Sequence, residues 1–76
     1  MTIKTIKSTK DLSQLLKARR EELGISQAEL AQLCNLSSNG ISKLESNKDS
    51  TREVKLSTLF KLGKFLGFEL ALKVEE

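Results

Sequence analysis

The chain has no histidine, tryptophan, tyrosine or proline, and its single cysteine is Cys34. Without histidine there is no Ser-His-Asp triad, no Cys-His nucleophile and no histidine-bearing zinc site. One thiol cannot form an internal disulfide, which suits a reducing compartment. The four glycines, Gly24, Gly40, Gly63 and Gly67, are scattered and do not gather into a phosphate-cradling loop after a strand. No stretch approaches the ~20 apolar residues of a membrane span, and the first residues lack the apolar core of a signal peptide. These absences argue against an enzyme and against a metal or other cofactor, and they lead us to expect a cytoplasmic chain.

What is present is the composition of one helical domain. Seventy-six residues lie near the lower limit for a single hydrophobic core, so residues 1–76 are expected to form one domain. The apolar share is 38%, with fourteen leucines and three phenylalanines to build that core. The net charge is +3, and residues 1–20 hold six bases (Lys4, Lys7, Lys10, Lys17, Arg19, Arg20) against one acid, Asp11. A local basic field of this kind suits an anionic partner.

Helix punctuation is dense. Ser8 can cap a helix over residues 9–23 in which Leu12, Leu15, Leu16 and Leu23 share a stripe and which Gly24 closes. Ser26 with Glu29 forms a capping box, flanked by Ile25 and Leu30 at the staple positions, and starts a short second helix at Gln27. Leu30, Ala31 and Cys34 share its buried face, while Leu33 points outward, as a partner contact or as one of the scattered exposed leucines that need no explanation. Asn35, tolerant of positive φ, ends it. The signals then repeat: Ser37 caps a third helix over residues 38–46, with Leu36 and Ile41 as staple, and Asn47 follows. Residues 47–55 are polar and without apolar period, hence a loop. Leu56, Leu59, Phe60, Gly63 and Leu66 form the stripe of a fourth helix, which Leu62 and Phe65 widen towards a second packing surface.

After Gly67 the period changes to two. Phe68, Leu70, Leu72 and Val74 alternate with Glu69, Ala71 and Lys73, which predicts a half-buried strand over residues 68–74. A solitary strand cannot satisfy its own backbone. The basic arm, residues 1–7, is a poor partner because Ile3 and Ile6 keep no period-two face, so the expected partner is the same strand of a second copy. Leu62, Phe65, Phe68, Leu70, Leu72 and Val74 are the candidate dimer residues.

Two capped helices separated by about three residues must cross steeply, the signature of a helix-turn-helix. At Gly24-Ile25-Ser26-Gln27-Ala28-Glu29-Leu30-Ala31, followed by Leu36-Ser37 and Ile41-Ser42-Lys43-Leu44-Glu45, the chain resembles the Cro/C1-type (XRE) helix-turn-helix repressors over about residues 12–66. Asn35 and Asn47 stand where that family usually has glycine, and asparagine can adopt the same backbone. The resemblance implies a four-helix, lambda-repressor-like domain, mainly α, and an ion pair between Arg20 on the first helix and Glu45 ending the third. The basic arm, four helices and C-terminal strand are similar to the HipB-type antitoxins, which implies autoregulation of an operon and binding of a HipA-type serine/threonine kinase toxin.

Inserted into a major groove by its N-terminal end, the third helix offers Asn39 for adenine and Lys43 for a guanine edge, with Ser37, Ser38 and Ser42 as less selective donors. A polar outer face is also what any surface helix presents. Ser26 and Gln27 have a structural task as cap and first-turn residue, and the same helix N-terminus can face a DNA phosphate. Lys48 and Arg52 are phosphate candidates because the family places this loop against DNA; Lys10 and Lys17 are weaker ones.

The sequence therefore predicts a homodimeric repressor that reads a palindromic operator in double-stranded DNA, with a kinase toxin as second partner. A phage-type or stand-alone repressor without a toxin, and a pure protein-interaction module, are the alternatives.

Overall fold

Serine hydroxyls start three of the four helices among the described residues. Ser8 Oγ accepts from the Asp11 N–H at 3.2 Å, Ser26 Oγ from Glu29 at 3.0 Å and Ser37 Oγ from Gly40 at 2.9 Å. All three serines hold extended backbone, as N-caps must. The computed structural model of the chain describes residues 2–46 and 54–75. In chain order it contains α1 (Thr9–Glu22), α2 (Gln27–Leu33), α3 (Ser38–Glu45) and α4 (Leu56–Leu66). Asp11 reaches back to the Lys7 N–H at 3.1 Å, whereas among the described residues Glu29 returns no bond to Ser26, so Ser26 is a plain cap.

The ends of α1 and α2 carry the expected Gly24 and Asn35, and Gly67 adds a third such turn after α4. Gly24, Asn35 and Gly67 have φ of 70°, 56° and 75°, the left-handed conformation that reverses a chain after a helix. Leu23 caps α1 and is exposed instead of continuing its stripe. Asn47, Lys48 and Arg52 lie outside the described residues.

All four helices contribute to one core: Leu12 and Leu16 from α1, Leu30, Ala31 and Cys34 from α2 and its end, Ile41 from α3, and Leu59, Leu62 and Leu66 from α4. The staple residues Ile25 and Leu36 pack against it, as do Leu44, Val54 and Phe68. Cys34 is thus a core residue, and burial pushes its thiol pKa up against the opposing charge of Lys61.

Two expectations require correction. The first concerns α4, whose sequence carries two overlapping stripes at i, i+3, i+4 and i+7, namely 56-59-60-63 and 59-62-63-66. The core takes the second, so Leu62 is 1% exposed and has no surface left for a dimer partner, while Leu56 and Phe60, at 57% for the phenylalanine, are exposed. Periodicity alone cannot choose between such frames, because each is a legitimate helical face. The second concerns residues 68–74. Among the described residues there is no strand, and Leu72 and Val74 are 92% and 74% exposed. A strand needs a ladder partner, and among the described residues of one chain this segment has none.

Phe68 is the exception in that segment. Its N–H donates to Gly63 O at 3.1 Å, closing the end of α4, and its ring covers the helix at Gly63. A Cβ at Gly63 would stand 2.7 Å from Phe68 O and 3.2 Å from its ring. Gly63→Ala should therefore displace the segment and destabilise the domain by about 1–3 kcal/mol, as overpacking does. Thermal unfolding followed by circular dichroism checks this; an unchanged melting temperature would contradict the tight crossing.

Candidate nucleic-acid interface

Four residues, Cys34 to Ser37, connect α2 to α3, and the left-handed Asn35 turns the chain so sharply that the two helices share the most extensive contact in the fold. Ile41 faces inward and is fully buried, with Leu44 half-buried beside it. Ser38, Asn39 and Lys43 consequently stand on the solvent side. Asn39 and Lys43 are four residues apart and share that side. Ser42 is half-buried and flanks α1, and the Ser37 hydroxyl is engaged in its cap, so these two are less free than Asn39 and Lys43.

The orientation of this surface is set from below by a planar ion pair. Arg20 on α1 grips Glu45, the last residue of α3, through Nε to Oε2 at 2.6 Å and Nη2 to Oε1 at 2.9 Å. Its remaining nitrogen, Nη1, donates to Ile25 O at 2.7 Å, and Gln27 Nε2 donates to Glu45 Oε1 at 3.1 Å. The side chains are 12% and 4% exposed, so both charges are largely removed from water. Hydrogen bonding to Glu45 raises the Arg20 pKa further above its ordinary value, against a smaller effect of burial. Burial alone would push the Glu45 carboxyl up, but hydrogen bonds from Arg20 and Gln27, with the charges of Arg20 and Lys17, together hold it below the usual carboxylate range. α1, the start of α2 and the end of α3 are thereby joined at one carboxylate.

A polar cleft of about 230 Å³ opens next to the pair between α1 and α3, lined by Lys10, Ser13 and Lys17 on one side and Ser42 and Ser46 on the other. Ser26 and Gln27 have their side chains committed within the protein, the first to Glu29 and the second to Glu45, which leaves backbone N–H groups for any ligand at this helix start. Phe65 and Leu70 are exposed as well as Leu72 and Val74, so the apolar C-terminal surface is uncovered in the single chain. Among the described residues no cluster of potential metal ligands exists, and no helix is long and apolar enough to cross a membrane.

Arg19 has a role that its sequence context does not announce. Its Nε donates to Leu66 O, the end of α4, at 2.7 Å, and its Nη1 pairs with Glu22 at 3.1 Å. Nothing in the spacing distinguishes it from a solvated base, since its partner is a backbone carbonyl far away in the chain.

A short capped helix, a tight turn and a second capped helix with a free polar face, buttressed by a third helix through a buried ion pair, define a helix-turn-helix domain. The family model described as Helix-turn-helix matches residues 16–73, and the chain belongs to this family, in its Cro/C1-type (XRE) branch. Among solved structures it is similar to a complex of a HipB serine-to-alanine variant with an O2 20mer, at 31% identity and a TM-score of 0.79 over 99% of this chain and 100% of that one. It is also similar to a HipA-HipB-O2-O3 complex, at 28% identity and a TM-score of 0.79 over 97% of this chain and 100% of that one. A HipB-O4 20mer complex aligns at 27% identity and a TM-score of 0.78, over 97% and 100% of the two chains. No curated protein matches the chain in sequence.

The ion pair makes a prediction with a pH signature. Glu45→Gln strands the Arg20 charge and should destabilise the domain by about 3–5 kcal/mol at neutral pH. Because the folded-state pKa of Glu45 lies below its unfolded value, its contribution is present above the ordinary glutamate pKa of about 4.3 and is lost as pH falls through the lower folded value. The stability gap between parent and variant in urea denaturation should therefore narrow from pH 7 to pH 3. A gap independent of pH would show that the Glu45 charge does not carry the effect.

Proposed function

We infer that the chain is a sequence-specific DNA-binding repressor of the HipB antitoxin type, working by binding rather than by catalysis, as a homodimer on a palindromic operator and with a HipA-type kinase as protein partner. The observation that carries this reading is the match along nearly the whole length of both chains to HipB in its complexes, HipA included, which takes in the N-terminal arm and the C-terminal segment as well as the helix-turn-helix. The family model, by contrast, matches residues 16–73 and leaves out the N-terminal arm. The uncovered Phe65, Leu70, Leu72 and Val74 supply the apolar surface that a second copy covers, and two copies supply the phosphate contacts that one small domain lacks. The cytoplasm is the compartment in which such a repressor meets its operator.

Within the operator complex, Asn39 and Lys43 read base edges from the open face of α3, with Ser38 as an adaptable donor and Ser37 and Ser42 at the margin. Amide groups around Ser26 and Gln27, together with the side chains of Lys48 and Arg52, hold phosphates; Lys10 and Lys17 line the neighbouring cleft. Asn39→Ala should weaken operator binding by roughly 1–3 kcal/mol and relax preference at one base pair per half-site, leaving random DNA unaffected. Fluorescence anisotropy on operator and scrambled duplexes measures this, and equal losses on both would remove Asn39 from base reading. Co-expression with a HipA-type kinase followed by pull-down tests the antitoxin assignment; operator binding without kinase capture would favour a stand-alone repressor.

A further inference from the structure

We propose that Arg19 is a positioning residue for operator spacing: it fixes the direction in which residues 68–74 leave the domain and, through α1, holds that direction against the recognition helix α3. The inference rests on the reading of the chain as a DNA-binding dimer joined through this segment.

The end of α4 is held by several contacts at once. Leu66 O is one of the carbonyls that a helix terminus leaves without an intrahelical donor. Arg19 Nε supplies that donor across the fold at 2.7 Å, and its positive charge suits the negative end of the helix dipole. The next residue, Gly67, has φ of 75°, and a Cβ there would stand 3.1 Å from Arg19 Nη2, so the guanidinium lies against the turn itself. Glu22 holds the same guanidinium from the α1 side at 3.1 Å. Phe68 then returns its N–H to Gly63 O and lays its ring on the glycine. The segment therefore leaves α4 through a fixed corner, not a hinge.

Adjacent residues of a helix point about 100° apart, so Arg19 and Arg20 reach different neighbours from one turn of α1. Arg20 holds the end of α3 through Glu45, while Arg19 holds the end of α4 through Leu66. One rigid turn thus links the DNA-reading helix to the dimerising segment. In a twofold dimer the two recognition helices stand about 34 Å apart, so each is about 17 Å from the axis, and a change of about 5° in the tilt of a subunit at that axis moves its helix by about 1.5 Å. Hydrogen bonds to base edges work over a range of about 0.5 Å, so the two helices would no longer fit both half-sites at the original spacing.

The probe is a duplex selected by the parent chain from a random DNA pool, used as selected, with one base pair inserted or removed at its centre, and as a single half-site. Arg19→Ala and Arg19→Lys are compared with the parent after circular dichroism and light scattering at assay concentration. Arg19→Ala should bind the selected duplex at least about tenfold more weakly, lose less than about threefold on the half-site, and give up most of its preference for the selected spacing. Arg19→Lys keeps the charge without the planar fork and should relax the spacing preference too. Equal losses on all duplexes with spacing preference intact would overturn the proposal, as would an Arg19→Lys chain with the parent's preference if Arg19→Ala fails to fold. A parent chain that selects no DNA overturns the DNA-binding reading, and the proposal with it.

Discussion

The fork between Arg20 and Glu45 is the constraint on which the orientation of the whole domain depends. Two charges largely withdrawn from water are tolerable only when every polar atom around them is satisfied. Here the guanidinium spends its nitrogens on the carboxylate and on Ile25 O, and the carboxylate takes a further donor from Gln27. The geometry admits little latitude, since a planar fork meets a planar carboxylate in one relative orientation. An apolar contact at this place would have held α3 near α1 but allowed it to slide. The ion pair adds little net stability and much definition, which is the quality a DNA-reading helix requires.

Around that fixed point the fold economises on secondary structure. α2 and α3 are seven and eight residues long, too short to persist alone, and each is held by a serine cap and by leucine, alanine or isoleucine packed into a common core. α4 has no side-chain cap and is anchored by its buried face and by the contacts at its far end. The supports therefore differ from helix to helix: α3 combines its serine cap and the Arg20–Glu45 pair with the burial of Ile41, whereas α4 relies on its apolar face and its far end.

Much of this was legible in the sequence because it is local. Serine caps, the left-handed residues at Gly24 and Asn35, and the staple pairs each act within a few positions, so their residue types announce them. The contact from Arg20 to Glu45 spans twenty-five positions and came from family resemblance, not from periodicity. What was not legible depended on choices made in three dimensions. α4 carries more apolar positions than one face can bury, so the sequence allowed Phe60 and Leu56 inside and Leu62 outside, and packing decided the reverse. The alternation from Phe68 to Val74 encodes a strand only in the presence of a second strand. Arg19 was invisible because carbonyl oxygens carry no sequence signature.

The uncovered C-terminal segment makes the molecule responsive to its own abundance. Leu70, Leu72 and Val74 stand uncovered in the single chain, so a second copy that covers them withdraws their apolar surface from water only on association. Operator occupancy then rises with about the square of the monomer concentration wherever monomers predominate, because two chains must be recruited for each site. Under that condition a fall in chain concentration empties the operator more steeply than it would for a preformed dimer.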